Sequence, residues 1–440
     1  MISVNLNEVK NLNVIHTEIP RCTRNDTSMK IHSIHAIQIL DSRGNPTIEA
    51  YVELQNGVVG KASVPSGAST GSYEKVELRD GDKSKFEGKG VRKADKNINS
   101  EINKILKGHD IGMLRELDEK MIELDGTENK SRLGANAILA VSLASARALA
   151  NHKKEPLWKT LNEYYFPETK PQFLKLMVNI VNGGAHANWN FDIQEFMIIP
   201  QVESPSKAVE IAQEVFHALG ELLKKDNLSL LKGDEGGYSP DLTSNEEVFE
   251  IIHRAVKLSN HEHEIKYGVD AAASELFKDG EYLFKKQNKT LTAQELAAYY
   301  HELQTTYGIF SFEDPFAEND WSNFSTFTKN FGGTGLIVGD DLYTTDPLRI
   351  QKGIAQKATN AVLIKPNQIG TLKETVDAIK LSKEANMKVV ISHRSGETED
   401  SFIADLSYAC DADYLKAGSM SRSERLAKYN RLIEIEQMEQ

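Results

Sequence analysis

The sequence predicts an α/β protein in which a small N-terminal α+β domain precedes a larger C-terminal β/α barrel, TIM-like but irregular. Three observations support this: the chain has 440 residues, its first part shows strand signals followed by helical ones, and its later part repeats short apolar runs. A chain of this length can bury the core of a large barrel and of a second domain. We expect a flexible extension over residues 1–29, a capping or lid domain over 30–165 and the barrel over 166–440.

The N-terminal domain is predicted from turn and strand signals. Residues 31–55 comprise IHSIHAIQIL, the loop DSRGNPT and IEAYVEL, a pattern typical of an antiparallel hairpin. A third strand, VVGKASVP, leads into the Gly- and Ser-rich loop SGASTGSYEKVELRDGD. Helical patterns follow over VRKADKNINSEINKILKG and from Asn129 to Asn151. The run AILAVSLASARALA within the second pattern is shorter than the roughly 20 residues of a membrane span, so we expect a buried helix.

The barrel is predicted from eight apolar runs, most of which precede a helical stretch. The runs are LMVNIVNG, FMIIP, IKYGVD, GIFSFED, GLIVGDD, AVLIKP, MKVVISH and DYLKAG. Polar residues that end six of them lie 43, 27, 25, 28 and 23 positions apart, and a spacing near 25 fits one strand, one helix and two loops. These residues are Asp270, Glu313, Asp340, Lys365, His393 and Lys416. The first two runs are too close for a crossover helix, so we expect them to form a hairpin.

A doubly wound sheet is the alternative fold, but neither G-x-G-x-x-G nor G-x-x-x-x-G-K-[ST] occurs in the chain. Charge also narrows the class of ligand. With 52 basic against 64 acidic residues, the formal charge of −12 disfavours nucleic acid and anionic membranes as partners. The only two cysteines, Cys22 and Cys410, lie far apart, which favours a reducing compartment such as the cytoplasm. We therefore expect a small-molecule ligand and a cytoplasmic protein.

Three carboxylates end neighbouring strands of the predicted barrel. Because the active site of a β/α barrel lies at the carboxyl ends of its strands, we expect Asp270, Glu313 and Asp340 to converge there. Converging carboxylates need a cation, and hard oxygen ligands with room for water suit Mg²⁺. The sequence therefore predicts a magnesium site.

Cationic side chains follow on the next strands. Lys365, Arg394 and Lys416 would make a site suited to a small anion with carboxylate and phosphate groups. We expect burial, bound metal ions and Lys416 to lower the pKa of Lys365 from its ordinary value of about 10.4, which would leave a neutral amine that can act as a base.

An acid is predicted on the opposite side of the site. Glu235 stands in GDEGGYSP, and Glu195 stands in the strand run DIQEFMIIP, where a charged residue must face the site or find a partner. If the two lie close together, repulsion raises the pKa of one, which can then donate a proton. His186, in NGGAHANWN, would assist. A base, an acid, a metal and cationic anchors fit β-elimination next to a carboxylate.

Ten motifs in this order resemble the enolase family, the glycolytic phosphopyruvate hydratases, over about residues 30–436. They are DSRGNPT, VPSGASTG, NGGAH, QEFM, GDEGG, EDP, GDDL, LIKPNQIGTL, SHRSGETED and SRSERLAKYNRL. The resemblance implies an enolase-type barrel and the interconversion of 2-phosphoglycerate and phosphoenolpyruvate with two Mg²⁺ ions. Enolase-superfamily sites use a Lys or His base together with Mg²⁺. The family is usually dimeric or octameric.

The resemblance also implies roles for single residues. Asp270, Glu313 and Asp340 would hold the first metal, and Ser42 would reach the second once its loop closes. Lys365 would be the base, and Glu235 the acid, supported by Glu195. Residues implied to contact substrate are His186, Gln194, His393, Arg394, Ser395 and Lys416, together with Ala68 and Ser69 in a lid loop.

A few positions depart from the family pattern. Ala185 replaces the usual serine before the histidine of the NGG loop, Ala417 replaces the usual threonine after Lys416, and Trp189 is unusually bulky. These departures leave an alternative open, an enolase-like enzyme acting on a related phosphorylated or phosphonate acid in a specialised pathway. A non-catalytic protein on the same fold is disfavoured because the charged catalytic set is complete.

Overall fold

A three-stranded antiparallel sheet and a closed eight-stranded barrel organise the protein in a computed structural model, which describes residues 29–67, 71–187 and 189–439. The predicted fold class is confirmed. The predicted extension, apart from Met29, and the lid residues Ala68 and Ser69 lie outside the described residues.

The N-terminal sheet contains the predicted hairpin and third strand. Strand β1 (Ile31–Leu40) pairs antiparallel with β2 (Pro46–Leu54), which pairs antiparallel with β3 (Val59–Ser63). Residues of β2 alternate between full burial and partial exposure because one face packs on helices. The helices of this part are α1 (Arg92–Asn97), α2 (Asn103–Leu106), α3 (Leu114–Asp125), α4 (Ala135–Lys153) and α5 (Leu157–Tyr165), with a π-helical turn (Ile98–Ile102) between α1 and α2.

Helix α4 is the buried helix that the alanine-rich run predicts, but it begins six residues later than expected from Asn129. The cause is local backbone geometry: Lys130 and Gly134 have φ angles of 55° and 98°, which no α-helix accommodates. Strand β3 approaches α4 so closely at Gly60 that a Cβ there would lie 2.1 Å from the Ala144 carbonyl oxygen. Among the described residues, no helix is both long and apolar enough to cross a membrane.

The barrel has the eight strands that the sequence predicts. They are β4 (Lys175–Asn182), β5 (Glu195–Pro200), β6 (Ile265–Asp270), β10 (Ile309–Glu313), β11 (Leu336–Gly339), β12 (Ala361–Ile364), β13 (Lys388–Ser392) and β14 (Tyr414–Lys416). The helices are α6 (Pro205–Lys225), α7 (Asn245–Leu258), α8 (Ala293–Tyr307), α9 (Trp321–Phe331), α10 (Pro347–Gln356), α11 (Pro366–Ile369), α12 (Leu372–Glu384), α13 (Phe402–Ala409) and α14 (Ser423–Glu439).

One barrel strand runs against the others. Strand β5 pairs antiparallel with both β4 and β6, whereas the other neighbouring strands pair in parallel, so the predicted hairpin is confirmed. Because β5 is reversed, its first residue lies at the face where the other strands end. Glu195 is thus in register with Asp270, which is in register with Glu313.

The interior of the barrel is filled with apolar side chains at its other end. Met177, Met197, Val338, Leu363 and Val390 belong to a buried cluster contributed by alternating residues of different strands. This packing closes the barrel, as inward-facing residues do in β/α barrels. The polar side chains of the barrel interior therefore lie at the opposite end, where the parallel strands have their carboxyl ends.

A small sheet that the sequence patterns do not predict lies between β6 and α8. It consists of β7 (Phe277–Lys278), β8 (Glu281–Phe284) and β9 (Lys289–Leu291). Its strands are two to four residues long, too short for alternation to reveal them. The turn between β8 and β9 reaches the loop that joins β4 to β5.

We expect Gly60→Ala to reduce the free energy of unfolding by about 2 kcal/mol or more, because the new methyl group would overlap backbone atoms of α4, which cannot rotate away. Gly333→Ala is the matched control, since a Cβ at Gly333 meets nothing within 4 Å. Thermal denaturation of both variants tests this; equal melting temperatures would show that β3 and α4 have room to separate.

Candidate active site

A polar cavity of about 490 Å³ opens at the carboxyl ends of the barrel strands. The structure brings most of the predicted site residues to its wall. They are His186, Gln194, Glu195, Glu235, Asp270, Asp340, Lys365, His393, Arg394, Ser395 and Lys416. Glu313 is 1% exposed and lies beneath them, in contact with Lys416.

The ammonium group of Lys416 joins three of the carboxylates. Its Nζ lies 3.0 Å from Glu195 Oε2, 3.4 Å from Asp270 Oδ2 and 2.8 Å from Glu313 Oε2. Burial alone would lower the pKa of Lys416, but the surrounding carboxylates outweigh burial and raise it well above its ordinary value. Lys416 is therefore a fixed positive charge.

The predicted metal ligands form a crowded acidic wall. Burial and the neighbouring Asp270 raise the pKa of Glu313 to about 8. Burial would also raise the pKa of Asp340, but contact with Lys365 lowers it below its ordinary value. Gln368 donates a hydrogen bond of 2.8 Å to Asp340 Oδ1. Buried carboxylate oxygens that repel one another are the donor set that a hard divalent cation needs, so the residues fit Mg²⁺.

Asp340 also belongs to a second acidic cluster that the sequence prediction missed. Carboxylate oxygens of Asp314, Asp340 and Asp341 lie within 4.8 Å of one another. Asp314, with φ of 39°, accepts hydrogen bonds from the backbone N–H groups of Asp340 (2.9 Å) and Asp341 (2.7 Å). It thereby fixes the loop that presents Asp340. The EDP and GDD motifs contain both additional acids, but single acidic residues after strands are too common to select them.

Lys365 lies where the sequence predicts, next to the predicted metal ligand Asp340. Its Nζ is 2.5 Å from Asp340 Oδ2, and the side chain is 14% exposed. Burial lowers the pKa of Lys365, yet the Asp340 carboxylate outweighs burial and raises the pKa above its ordinary value. The sequence predicts a lowered pKa for a lysine beside bound metal ions, and that stays a prediction. The spacing of motifs carries no information about which carboxylate touches the lysine.

Across the cavity, His186, Glu195 and Glu235 form a compact group. His186 Nδ1 lies 3.7 Å from Glu195 Oε1 and 3.6 Å from Glu235 Oε1. Asn179 donates a hydrogen bond of 2.8 Å to Glu235 Oε2. Burial and repulsion by Glu235 raise the pKa of Glu195 well above its ordinary value. The expectation that proximity raises the pKa of one acid is confirmed, and the acid concerned is Glu195.

The pKa of Glu235 lies well below its ordinary value. Burial would raise it, but His393, His186 and Arg425 outweigh burial. Since burial also holds the pKa of His393 well below its usual range, permanent cations such as Arg425 and Lys416 stabilise Glu235 at neutral pH. The directions of these two shifts favour a protonated Glu195 and an ionised Glu235, so that the pair shares one proton.

Arg394 is held by two residues outside the predicted set. Its NH1 donates hydrogen bonds of 2.9 Å to Glu74 Oε2 and to Asn367 Oδ1, and its NH2 donates one of 3.1 Å to Glu74 Oε1. This two-pronged geometry is the one expected of arginine with a carboxylate. Glu74 follows the Gly-rich loop of the N-terminal domain, so it links that domain to the barrel.

Arg425 organises the loops behind the cavity, and the sequence prediction missed it too. The guanidinium, fully buried, donates hydrogen bonds of 2.6 Å to His393 Nδ1 and to the Arg394 carbonyl, and one of 2.7 Å to the Ser395 carbonyl. It also donates one of 3.1 Å to the Asp234 carbonyl. Because Nδ1 of the neutral His393 accepts, its Nε2 carries the hydrogen and faces Glu235 at 3.6 Å.

Among the described residues, Ser42 is a predicted site residue that lies away from this cavity. Its Oγ accepts a hydrogen bond of 3.1 Å from the Glu397 N–H, and it lines a separate cavity of about 1130 Å³. Its expected approach to a metal after loop closure stays a prediction.

Comparison with known proteins agrees with the fold and the site. The family described as "Enolase, N-terminal domain" matches residues 31–161, and "Enolase, C-terminal TIM barrel domain" matches residues 174–439. The enolase of Legionella pneumophila (strain Lens) is 49% identical over 414 residues, covering 93% of this chain and 97% of the relative. Both the matched residues and the extent of identity span the barrel and the domain before it. The chain therefore belongs to the enolase family.

Proposed function

We propose that this chain is a phosphopyruvate hydratase, a carbon–oxygen lyase that interconverts 2-phosphoglycerate with phosphoenolpyruvate and water in glycolysis and gluconeogenesis. One observation carries the proposal: Lys365 follows β12, Glu195 begins β5, and these strands lie four places apart around the closed eight-stranded barrel. The amino group of Lys365 and the carboxyl group of Glu195, whose pKa is raised, thus face each other across one cavity. Elimination with a base on one side and an acid on the other needs this arrangement.

The base in the proposed reaction is Lys365, which removes the proton from C2, next to the substrate carboxylate. Mg²⁺ held by Asp340 would offset the negative charge that raises the pKa of Lys365, so that a neutral amine can accept the proton. Its side chain is largely buried, so little water competes for the amine. The carboxylates Asp270, Glu313 and Asp340 are proposed to hold the first Mg²⁺, and Ser42 the second. When bound, these ions neutralise the acidic wall and stabilise negative charge on the substrate carboxylate.

The proposed acid is formed by Glu195 and Glu235, which share one proton. In the proposal Glu195 stores this proton before substrate binds, and Glu235 transfers it to the departing hydroxide, assisted by His186. All three side chains are at most 6% exposed, and their polar atoms lie within 4.8 Å of one another, so the proton moves a short way. Exclusion of water strengthens each of these interactions.

The remaining polar side chains bind and orient the anion. Arg394 and Lys416 supply permanent positive charge for the phosphate and carboxylate groups. Gln194, His393 and Ser395 supply amide, imidazole and hydroxyl groups on the same wall. Ala68 and Ser69 are proposed to cover the substrate as part of a lid.

The observations favour this reaction over one on a related acid. The alternative depends on Ala185, Trp189 and Ala417, and among the described residues the cavity wall includes none of these three. Identity of 49% to a relative that is itself an enolase also favours the common reaction. Formation of phosphoenolpyruvate from 2-phosphoglycerate, followed by its ultraviolet absorbance, tests the proposal, and a pure Mg²⁺-loaded protein that forms none refutes it.

A cytoplasmic homo-oligomer, a dimer or an octamer, completes the proposal. Membership of the family supports the assembly, and the scarcity of cysteine supports the compartment. Sedimentation of the purified protein measures the number of subunits.

We expect Lys365→Ala to abolish exchange of the C2 proton of 2-phosphoglycerate with solvent deuterium, because the variant lacks the base, while substrate and Mg²⁺ still bind. The expected loss is at least about 100-fold. Lys388→Ala is the matched control, since Lys388 begins strand β13 at the opposite end of the barrel. Exchange as fast as in the wild type would exclude Lys365 as the base.

We expect Glu235→Gln and Glu195→Gln to separate the two halves of the reaction. Each variant keeps Lys365 and should still exchange the C2 proton, but it lacks a carboxyl group of the pair, so phosphoenolpyruvate formation should fall at least about 100-fold. Proton exchange is read by nuclear magnetic resonance and product by absorbance. Unchanged product formation by Glu235→Gln would assign the proton transfer to another group.

We expect Asp340→Asn to weaken Mg²⁺ binding at least about 100-fold, because one anionic oxygen ligand is lost. Asp226→Asn is the control, since Asp226 pairs with Arg254 on the surface. Calorimetric titration with Mg²⁺ measures both affinities. An Asp340→Asn protein that binds Mg²⁺ like the wild type would remove Asp340 from the ligand set.

A further inference from the structure

Trp189 has a backbone conformation that an aromatic residue rarely adopts. Its φ angle is 61°, in the left-handed region, where a side chain crowds the following carbonyl oxygen. Residues held in such conformations persist only where surrounding contacts impose them, and they concentrate at functional sites. The loop that joins β4 to β5 contains both Trp189 and His186, so the contacts of Trp189 bear on the position of the histidine.

Two contacts hold Trp189 in place. The Nζ atom of Lys285 lies 4.4 Å from the centre of the indole ring, a cation–π distance. The backbone N–H of Trp189 donates a hydrogen bond of 2.8 Å to the Gly184 carbonyl, while the Gly184 N–H donates one of 3.0 Å to the Phe191 carbonyl. The loop is therefore closed on itself, with the indole ring directed at the lysine.

A second, independent contact joins the same two segments. In the turn after β8, the backbone N–H of Lys286 donates a hydrogen bond of 3.0 Å to Asp192 Oδ1. Burial raises the pKa of Asp192, while backbone N–H groups of this turn oppose that rise. On the far side of the loop, Asn190 Nδ2 donates a hydrogen bond of 2.8 Å to Ser239 Oγ. The small sheet thus supports the loop at both Trp189 and Asp192.

His186 depends on this loop for its place. Its Nδ1 lies within 3.7 Å of both Glu195 and Glu235, without a hydrogen-bond partner among the described residues. Its backbone carbonyl accepts a hydrogen bond of 3.2 Å from the Asp234 N–H, next to Glu235. Movement of the loop would shift His186 and also loosen the segment that carries Glu235.

We propose that Trp189 and Lys285 are a positioning pair, through which the small sheet formed by β7, β8 and β9 holds His186 against the acid pair. The catalytic part of this inference rests on the proposed function, whereas the mechanical part does not. Neither residue lines the cavity, so in the proposal both act through His186.

Activity measurements test the pair with matched variants. Lys285→Met removes the charge and keeps the length, and Trp189→Ala removes the ring; each should lower kcat/KM about tenfold. Lys285→Arg and Trp189→Phe keep a cation and a ring, so they should restore most of the activity. Lys289→Met, in the same sheet but hydrogen-bonded to Gln287, is the control and should leave activity unchanged.

Combining Lys285→Met with a substitution of His186 distinguishes a positioning role from general destabilisation. In a His186→Gln background, Lys285→Met should have no further effect on kcat, because the histidine through which the pair acts is already absent. An equal tenfold loss in both backgrounds would overturn the proposal. So would Lys285→Met activity equal to that of Lys289→Met.

Amide hydrogen exchange provides a readout that needs no activity. Lys285→Met should speed exchange of the amides in residues 184–191 about tenfold, with the melting temperature unchanged, while Lys289→Met should not. Unchanged exchange would overturn the positioning pair. If the wild-type protein forms no phosphoenolpyruvate, the proposed function fails, and exchange still decides whether Trp189 and Lys285 hold the loop.

Discussion

The ammonium group of Lys416, buried among Glu195, Asp270 and Glu313, is the interaction on which the rest of the site depends. Ionised carboxylates without a counter-ion would be prohibitively costly away from water. Lys416 offsets part of that cost, and the rise in the pKa of Glu313 to about 8 shows that it does not offset all of it. The remaining deficit of positive charge explains why this wall suits a divalent cation.

Reversal of a single strand makes this arrangement possible. In a fully parallel barrel the first residue of β5 would lie at the closed end, beside the apolar cluster that includes Met197 and Val338. Because β5 runs in the opposite direction, Glu195 stands in register with Asp270 at the open end. The same hairpin supplies the loop that carries His186. The acid side of the site therefore follows from strand direction as much as from residue type.

The two sides of the cavity differ in the protonation of their ionisable side chains. On one side, Lys365 is charged because it touches Asp340, which in turn stays ionised. On the other side, the pKa of Glu195 is raised, while the pKa of Glu235 is lowered by basic side chains that include His393 and Arg425. Arg425 also fixes the tautomer of His393, so one buried guanidinium sets the proton positions of several groups.

The sequence by itself determined the two-part fold, the eight barrel strands and the residues that meet at their carboxyl ends. The positions of Asp270, Glu313 and Lys416 were predictable because each repeat of a β/α barrel contributes one strand, and the carboxyl ends of the strands meet at one face. Motif order was sufficient to indicate the family, and comparison then showed it.

Only the tertiary structure decided which groups touch. The pairing of Lys365 with Asp340, the opposite pKa shifts of Glu195 and Glu235 and the roles of Glu74, Arg425 and Trp189 depend on contacts a few ångströms long between segments far apart in sequence. Spacing and composition contain no such distances. Because electrostatic energies change steeply over these lengths, the charge state of a residue cannot be inferred from its neighbours along the chain.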